Sequence, residues 1–165
     1  MRAIIGKLLL SIRRMNNWFI KGYQLSKFQI KGQGIYIGDY CHFTEKNIQI
    51  GDDVYIGRNC IFQSSYGKII IGNHVMFGPG VHVHGGNHKF NEKGTLMKHA
   101  SPKKQGDDGE VVISDDCWIG ANAIILSNVK IGKGCVIGAG SIVTHSLPDY
   151  TIYTGCPSMK IRNRF

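Results

Sequence analysis

The chain has 165 residues, 42% of them hydrophobic, and carries 20 Lys and Arg against 11 acidic residues, a formal net charge of +9. That length holds one domain and leaves no room for a second. The basic balance points to anionic partners, but no nucleic-acid recognition motif is present and aromatics do not interleave with a basic stripe, so a polyphosphate ligand or an anionic membrane surface fits and nucleic acid does not.

Residues 2 to 21, RAIIGKLLLSIRRMNNWFIK, set Ile4, Ile5, Leu8, Leu9, Ile12, Met15 and Phe19 at helical spacing with Arg2, Lys7, Arg13, Arg14 and Lys21 between them. The pattern predicts an amphipathic helix inside an N-terminal unit of residues 1–29. Its apolar run is far shorter than the roughly 20 residues that a bilayer span needs. Two placements stay open: a cap or subunit contact on the first coil of the adjoining repeat, or a helix lying on an acidic membrane leaflet with Trp18 at the interface. No leader with a small-residue cleavage site is visible, so a cytoplasmic protein is expected, with peripheral contact at the inner face of the membrane under the second placement.

From residue 30 a large apolar residue returns every six positions: Ile37 and Phe43, then Ile50, Ile56 and Phe62, then Ile71, Phe77 and Val83, then Ile113, Ile119, Ile125, Ile131, Ile137 and Val143. Six is neither the helical period nor simple strand alternation. A strand-like hexad that turns after each repeat sends one large side chain inward per short face and builds a three-sided coil. Three positions after the large residue stand Asp53, Asn59, Gly80, Asp116, Asn122, Asn128, Gly134 and Gly140, the types that enter a left-handed turn at least cost. One position further the residue is small, among them Cys41, Cys60, Cys117, Ala123, Cys135 and Ser141, as a second inward site near a narrow axis demands. Packing therefore accounts for four of the five cysteines, leaving only Cys156 outside the repeat. Grouped in threes, the hexads predict about five coils over residues 30–154, starting near Ile30, Ile50, Ile71, Ile113 and Ile131. Apolar residues expected to face outward, namely Tyr55, Phe62, Ile70 and Ile124, suggest a subunit interface.

Between Val83 and Ile113 the repeat lapses, and residues 84–110 are predicted to be one long loop thrown out from a corner. It opens with His82, His84 and His88 among Gly85, Gly86 and Asn87, and His99 lies further along. Three histidines on a coil can hold zinc with an open position, but no acidic residue lies between Val81 and Asn91 to fix the imidazoles, so no metal is expected. His74, His82, His84 and His99 are read as surface or core filler. His88 differs: two glycines before it let backbone approach a ligand, and imidazole titrates where a general base for a hydroxyl or amine should. After Val143 the hexads stop, and residues 155–165 are expected to leave the prism as a basic tail carrying Lys160, Arg162 and Arg164.

Three segments carry a resemblance: GGNHKF at 85–90, CWIGANAIIL at 117–126 with VKIGKGCVIGAGSIVT at 129–144, and GCPSMKIR at 155–162. Together they resemble the hexapeptide-repeat acyltransferases, in particular the branch that acetylates sugars and xenobiotics, over residues ~30 to 165. The resemblance implies an all-β, left-handed parallel β-helix and a homotrimer whose sites are shared between subunits. It implies acetyl-CoA as co-substrate and direct acetyl transfer with His88 as base. Asn87, Phe90 and Trp118 would meet the acceptor, with Asn91 and Thr95 nearby. Ala121, Ala139 and Thr144 would line the pantetheine arm, and Lys160 and Arg162 would meet the nucleotide phosphates. His145 stands where the family commonly carries Lys or Arg, and Met159 where a basic residue usually follows the proline and its neighbour. The acceptor expected is a hydroxyl of a sugar or polysaccharide precursor. An antibiotic or serine acetyltransferase, a γ-carbonic-anhydrase-like zinc enzyme and a noncatalytic scaffold are the rivals.

Overall fold

The computed structural model describes residues 2–104 and 106–165. An α-helix, α1 (Arg2–Lys27), precedes a stack of short strands that recur in threes. The first coil is β1 (Ile30–Lys31), β2 (Tyr36–Ile37) and β3 (His42–Phe43); the second is β4 (Ile48–Ile50), β5 (Tyr55–Ile56) and β6 (Ile61–Gln63). The third is β7 (Ile69–Ile71), β8 (Met76–Phe77) and β9 (His82–His84), and the fourth β10 (Val111–Ile113), β11 (Trp118–Ile119) and β12 (Ile124–Ile125). A fifth coil holds β13 (Lys130–Ile131), β14 (Val136–Ile137) and β15 (Ile142–Val143), followed by β16 (Thr151–Thr154) and β17 (Met159–Asn163). Equivalent strands stack in parallel into three sheets, of orders β1-β4-β7-β10-β13, β17-β16-β14-β11-β8-β5-β2 and β15-β12-β9-β6-β3. These are the three walls of a β-helix.

The turn chemistry explains the prism. All eight of the residues singled out at the corners, from Asp53 to Gly140, have positive φ, between 53° and 70°. Tyr40, His74 and Tyr150 occupy the same conformation at further corners despite their bulk. Inside, the large residues of the hexads stack on their own kind: Ile56 pairs with Phe77, Phe77 with Ile119, Ile119 with Ile137. The small positions, including Cys41, Cys60, Cys117 and Cys135, are buried against them. Burial pushes the Cys117 thiol up to about 12, so it remains a neutral packing group. A column of rings runs into this core, with Phe28 to Phe43 at 5.4 Å, Phe43 to Phe62 at 5.4 Å and Phe62 to Phe77 at 4.9 Å. Phe62 is therefore an inward residue, fully buried, and not the outward one expected: it holds the third large position of its coil, which faces the axis.

Tyr36, Tyr55, Met76 and Trp118 do face outward, in register up the β2-β5-β8-β11 wall, each about half exposed. The Tyr36 and Tyr55 rings stack at 4.9 Å.

Two ends differ from expectation. The helix runs six residues beyond the predicted Lys21, to Lys27, because its last turns find partners: Gln24 Nε2 donates to Cys41 O at 3.1 Å, and Phe28 enters the ring column. The C-terminal segment does not leave the prism. It turns back as β17, antiparallel to β16, and Arg164 Nη1 lies 2.7 Å from Asp116 Oδ2. A returning strand satisfies the open edge of the last coil, a need that hexad counting does not register. No helix among the described residues is long and apolar enough to cross a membrane.

Candidate active site

At the corner where the third sheet hands over to the first, Thr44, Ser64, Gly85, Leu126 and Thr144 follow the ends of successive strands. Four of the five coils pass this corner in a few residues. The third coil leaves at Gly85 and returns at Val111. The excursion is anchored at both ends: Gly85 N–H donates to Gln63 O at 2.8 Å, and Val111 N–H to Lys68 O at 2.9 Å. A Cβ on Gly67 of the coil below would lie 2.3 Å from Gly109 O and 2.4 Å from Gly85 O, so only glycine lets both ends of the excursion meet there.

The segment that carries His88 is pinned from two sides. Asp108, at the far end of the excursion, sits under Gly86, its side chain 2% exposed. A Cβ on Gly86 would stand 2.3 Å from that carboxylate. Asp108 Oδ1 accepts the Asn87 N–H at 3.3 Å and the Lys103 ammonium, while Oδ2 is buried without a partner. One oxygen of the carboxylate thus has an ammonium and a backbone amide as partners. On the other side Asn87 Nδ2 donates to Ser127 Oγ at 2.9 Å, tying the turn to the fourth coil. Further braces hold the rest of the excursion. Ser101 N–H donates to Glu92 Oε2 at 3.0 Å, and Asp107 takes Lys104 N–H at 2.7 Å and Lys89 Nζ at 3.2 Å. These bonds hold the carboxyls of Glu92 and Asp107 below their usual range.

His88 itself is exposed, between two recesses. The larger, of about 520 Å³, is also lined by Gln63, Tyr66, His84, Lys103 and Asp108; the smaller, of about 340 Å³, by Lys89, Phe90, Asn91, Glu92 and Asp107. His84 is part-buried, and burial first and the neighbouring His82 second push its pKa down, so it faces the cleft as a neutral imidazole near pH 7. An exposed imidazole beside a concave, partly polar wall is open to a ligand bound in either recess. Among the described residues no three His, Cys, Asp or Glu side chains come together as a group able to hold a metal.

The expected residues thus divide. Asn87, His88 and Phe90 lie together, with Asn91, while Thr95 is further along the excursion. Thr144 is on the same corner two coils beyond Gly85, its Oγ1 3.4 Å from His145 Nδ1. Trp118 is outside the cleft, on the exposed wall next to Met76 and Val136. Ala121 and Ala139 line a different corner, where a Cβ on Gly78 or Gly120 would come within 2.6 or 2.5 Å of the alanine nitrogens above, so this corner is backbone with small side chains only. Lys160 and Arg162 are exposed on β17. Within one chain, the second group does not meet His88. His84, which reads as filler in the sequence, lines the cleft, and Lys103, Asp108, Gln63 and Tyr66 join it without a motif to mark them. One signal does point to the last two: the step from Phe62 to Ile71 is nine residues where the frame asks for six, and the extra length forms the cleft wall.

Residues 110–145 match the family model of the bacterial transferase hexapeptide, six repeats. The chain is 37% identical over 120 residues to a galactoside O-acetyltransferase of Lactococcus lactis subsp. lactis, covering 73% of this chain and 55% of that protein. It is 30% identical over 168 residues to a chloramphenicol acetyltransferase of Klebsiella aerogenes, covering 92% of this chain and 79% of that one. A hexapeptide-repeat acetyltransferase from Vibrio cholerae O1 biovar eltor, solved with acetyl coenzyme A, superposes with a TM-score of 0.78 at 28% identity, over 88% of this chain and 76% of that one. The chain spans about half the length of the first of these curated relatives.

Proposed function

The chain belongs to the hexapeptide-repeat acetyltransferases, whose left-handed β-helix it shares, and from that premise we propose that it moves an acetyl group from acetyl-CoA to a hydroxyl of a sugar or polysaccharide precursor. The observation that carries this reading is His88, held between two recesses by a turn pinned on Asp108 and Ser127. An alcohol keeps its proton at neutral pH, so attack on a thioester needs a base in place as the new bond forms. His88 takes the hydroxyl proton, the oxygen adds to the acetyl carbonyl, and coenzyme A leaves as its thiol with the proton returned from the imidazolium. No covalent enzyme intermediate is involved. Asn87, Tyr66 and Gln63 supply neutral hydrogen-bonding groups for a saccharide, and Phe90 an apolar face.

The cofactor half of the site is read onto the other group. Ala121, Ala139 and Thr144 line the pantetheine arm, Lys160 and Arg162 meet the phosphates, and Trp118 packs beside the reacting carbon. Since these residues lie apart from His88 in one chain, the active unit is a homotrimer in which each site joins the excursion of one subunit to the coils of the next. The half-exposed ladder Tyr36-Tyr55-Met76-Trp118 supports such an interface. Cytoplasmic acetyl-CoA, and inward cysteines that serve as packing groups, fit a cytoplasmic enzyme.

A second reading, a xenobiotic hydroxyl as acceptor, is favoured by the Klebsiella chloramphenicol acetyltransferase, whose match covers more of both chains. Coenzyme A thiol release, measured against mono- and oligosaccharides, nucleotide sugars, lipid-linked saccharides and chloramphenicol, separates the two. Efficient turnover of chloramphenicol with saccharides untouched selects the second; no thiol release with any hydroxyl rejects both.

A further inference from the structure

Apart from Leu25 in its last turns, which packs against the core, helix α1 (Arg2–Lys27) meets the β-helix by its polar side. Arg13, Asn17, Lys21 and Gln24 recur at steps of three and four and share one stripe. This stripe touches the first coil. Lys21 Nζ is 2.8 Å from Asp39 Oδ1 and Arg13 Nη2 3.9 Å from Asp39 Oδ2, and Gln24 reaches the Cys41 carbonyl. Arg13 and Lys21 also lie over the Tyr40 and Tyr36 rings at 5.3 and 5.6 Å. The Lys21 bond, with Arg13 and Asn17 adding to it, lowers the Asp39 carboxyl below its usual range, so the contact is charged at neutral pH.

The opposite stripe, Ile4, Leu8, Ile12, Met15 and Phe19, therefore points away from the protein, and Leu8 and Phe19 are 60% and 61% exposed. A helix that only capped the coil would be turned the other way, burying these residues and leaving its cations in water. The charge is as one-sided as the apolarity. The helix holds six cations and no acidic residue, and Asp39 engages two of them, Arg13 and Lys21. Packing the same stripes of two or three copies together would gather only positive charge around a shared apolar seam, with no acid on the helix to meet it.

We propose that α1 docks the enzyme on an anionic lipid bilayer surface, lying in the interface with Leu8, Ile12, Met15 and Phe19 among the acyl chains and Arg2, Lys7, Arg14 and Lys27 at the headgroups. Trp18 and Tyr23, 70% and 63% exposed, have the amphipathic rings suited to that depth. The helix does not span the bilayer. The inference is independent of the acceptor and of the catalytic role of His88.

Flotation of the full chain with phosphatidylcholine vesicles, with and without phosphatidylglycerol, tests it. At least about tenfold more protein should float with the anionic vesicles, and added salt should release it. The double variant Leu8→Glu, Phe19→Glu touches no coil residue and should abolish flotation while leaving the mass by light scattering and the melting temperature unchanged. Quenching of Trp18 by bromolipids in the wild type should disappear with it. Equal recovery from neutral and anionic vesicles, no flotation at all, or a fall in assembly mass in the double variant with flotation retained overturns the proposal; the last outcome assigns the stripe to contacts between copies.

Discussion

In the coils a side chain is held by repeated neighbours above and below: Ile119 lies between Phe77 and Ile137 and makes the same ladder bonds that they make. In residues 85–110 it is held by single partners: Asn87 by Asp108 and Ser127, Ser101 by Glu92, Lys89 by Asp107. The difference teaches where stability and chemistry reside. A repeated wall shares the loss of any one contact between adjacent rungs and supplies most of the buried apolar surface. The excursion buries little, so it is free to present an exposed imidazole and two recesses. Stability and turnover should then be separable by mutation, except where the two regions touch.

The largest effect expected is on the excursion. His88→Ala should lower turnover about 10²- to 10⁴-fold, the contribution of a positioned general base, with the melting temperature unchanged. Steady-state thiol release alongside thermal melts checks this. Near wild-type turnover in His88→Ala, with His84→Ala inactive, would shift the base to the other imidazole of the cleft.

The converse variant is Ile119→Ala, a fully buried residue in the middle of the stack. It should cost about 2 to 5 kcal/mol of stability, from lost transfer energy and the cavity left in a core that cannot collapse along its axis. The turnover of the protein that remains folded should stay within a few-fold of wild type. A large loss of turnover at a temperature where circular dichroism shows the variant folded would break the separation.

How far each region is legible in the sequence depends on the same contrast. The hexads state one environment many times over, so the corner residues from Asp53 to Gly140 and the small inward positions can be read from spacing. Tyr40 and His74 show that the frame outranks residue type: each stands three after a large apolar residue and takes positive φ although neither is a usual turn former. Asp108 has no such statement. It meets Gly86 and Asn87 across twenty-odd residues of aperiodic chain, and spacing suggests no acid beside His82, His84 and His88 because none lies between Val81 and Asn91. Met159–Asn163 likewise reads as tail, since an antiparallel return has no hexad to mark it.

Asp108 tests the seam between the regions. Asp108→Ala removes the acceptor for the Asn87 N–H and leaves Lys103 without its partner. A hydrogen bond to a charged group contributes about 1.5 to 3 kcal/mol, so turnover should fall by about 10- to 100-fold if that energy holds His88 in place. As a positioning residue Asp108 should affect kcat more than KM. Asp108→Asn, which keeps an oxygen for the amide, should recover part of the loss. Equal kcat and KM effects, or no rescue by asparagine, would remove Asp108 from the role of positioning His88.

The smallest effect lies in the coils and is set by pH. His74 occupies a corner at φ 57°, and its Nδ1 is 2.9 Å from Asp53 Oδ2 on the coil below. The bond to Asp53 raises the His74 pKa above its ordinary 6.5, with the Asp53, Asp115 and Asp116 charges adding to it. A folded-state value above the unfolded one means that folding is favoured by protonation: the contribution is present in full below about 6.5 and is lost as pH rises through the higher folded value. The pair is exposed, so the effect is screened and small. His74→Asn keeps a residue type that tolerates the left-handed turn and removes the titration. Differential scanning calorimetry at a series of pH values should show wild type losing a small increment of melting temperature above pH 6.5 and His74→Asn losing less, with thiol release unchanged in both. A variant that tracks the wild-type curve would mean that the corner is held by its backbone alone, and that even a charged pair between adjacent corners adds nothing to the stability the repeat already supplies.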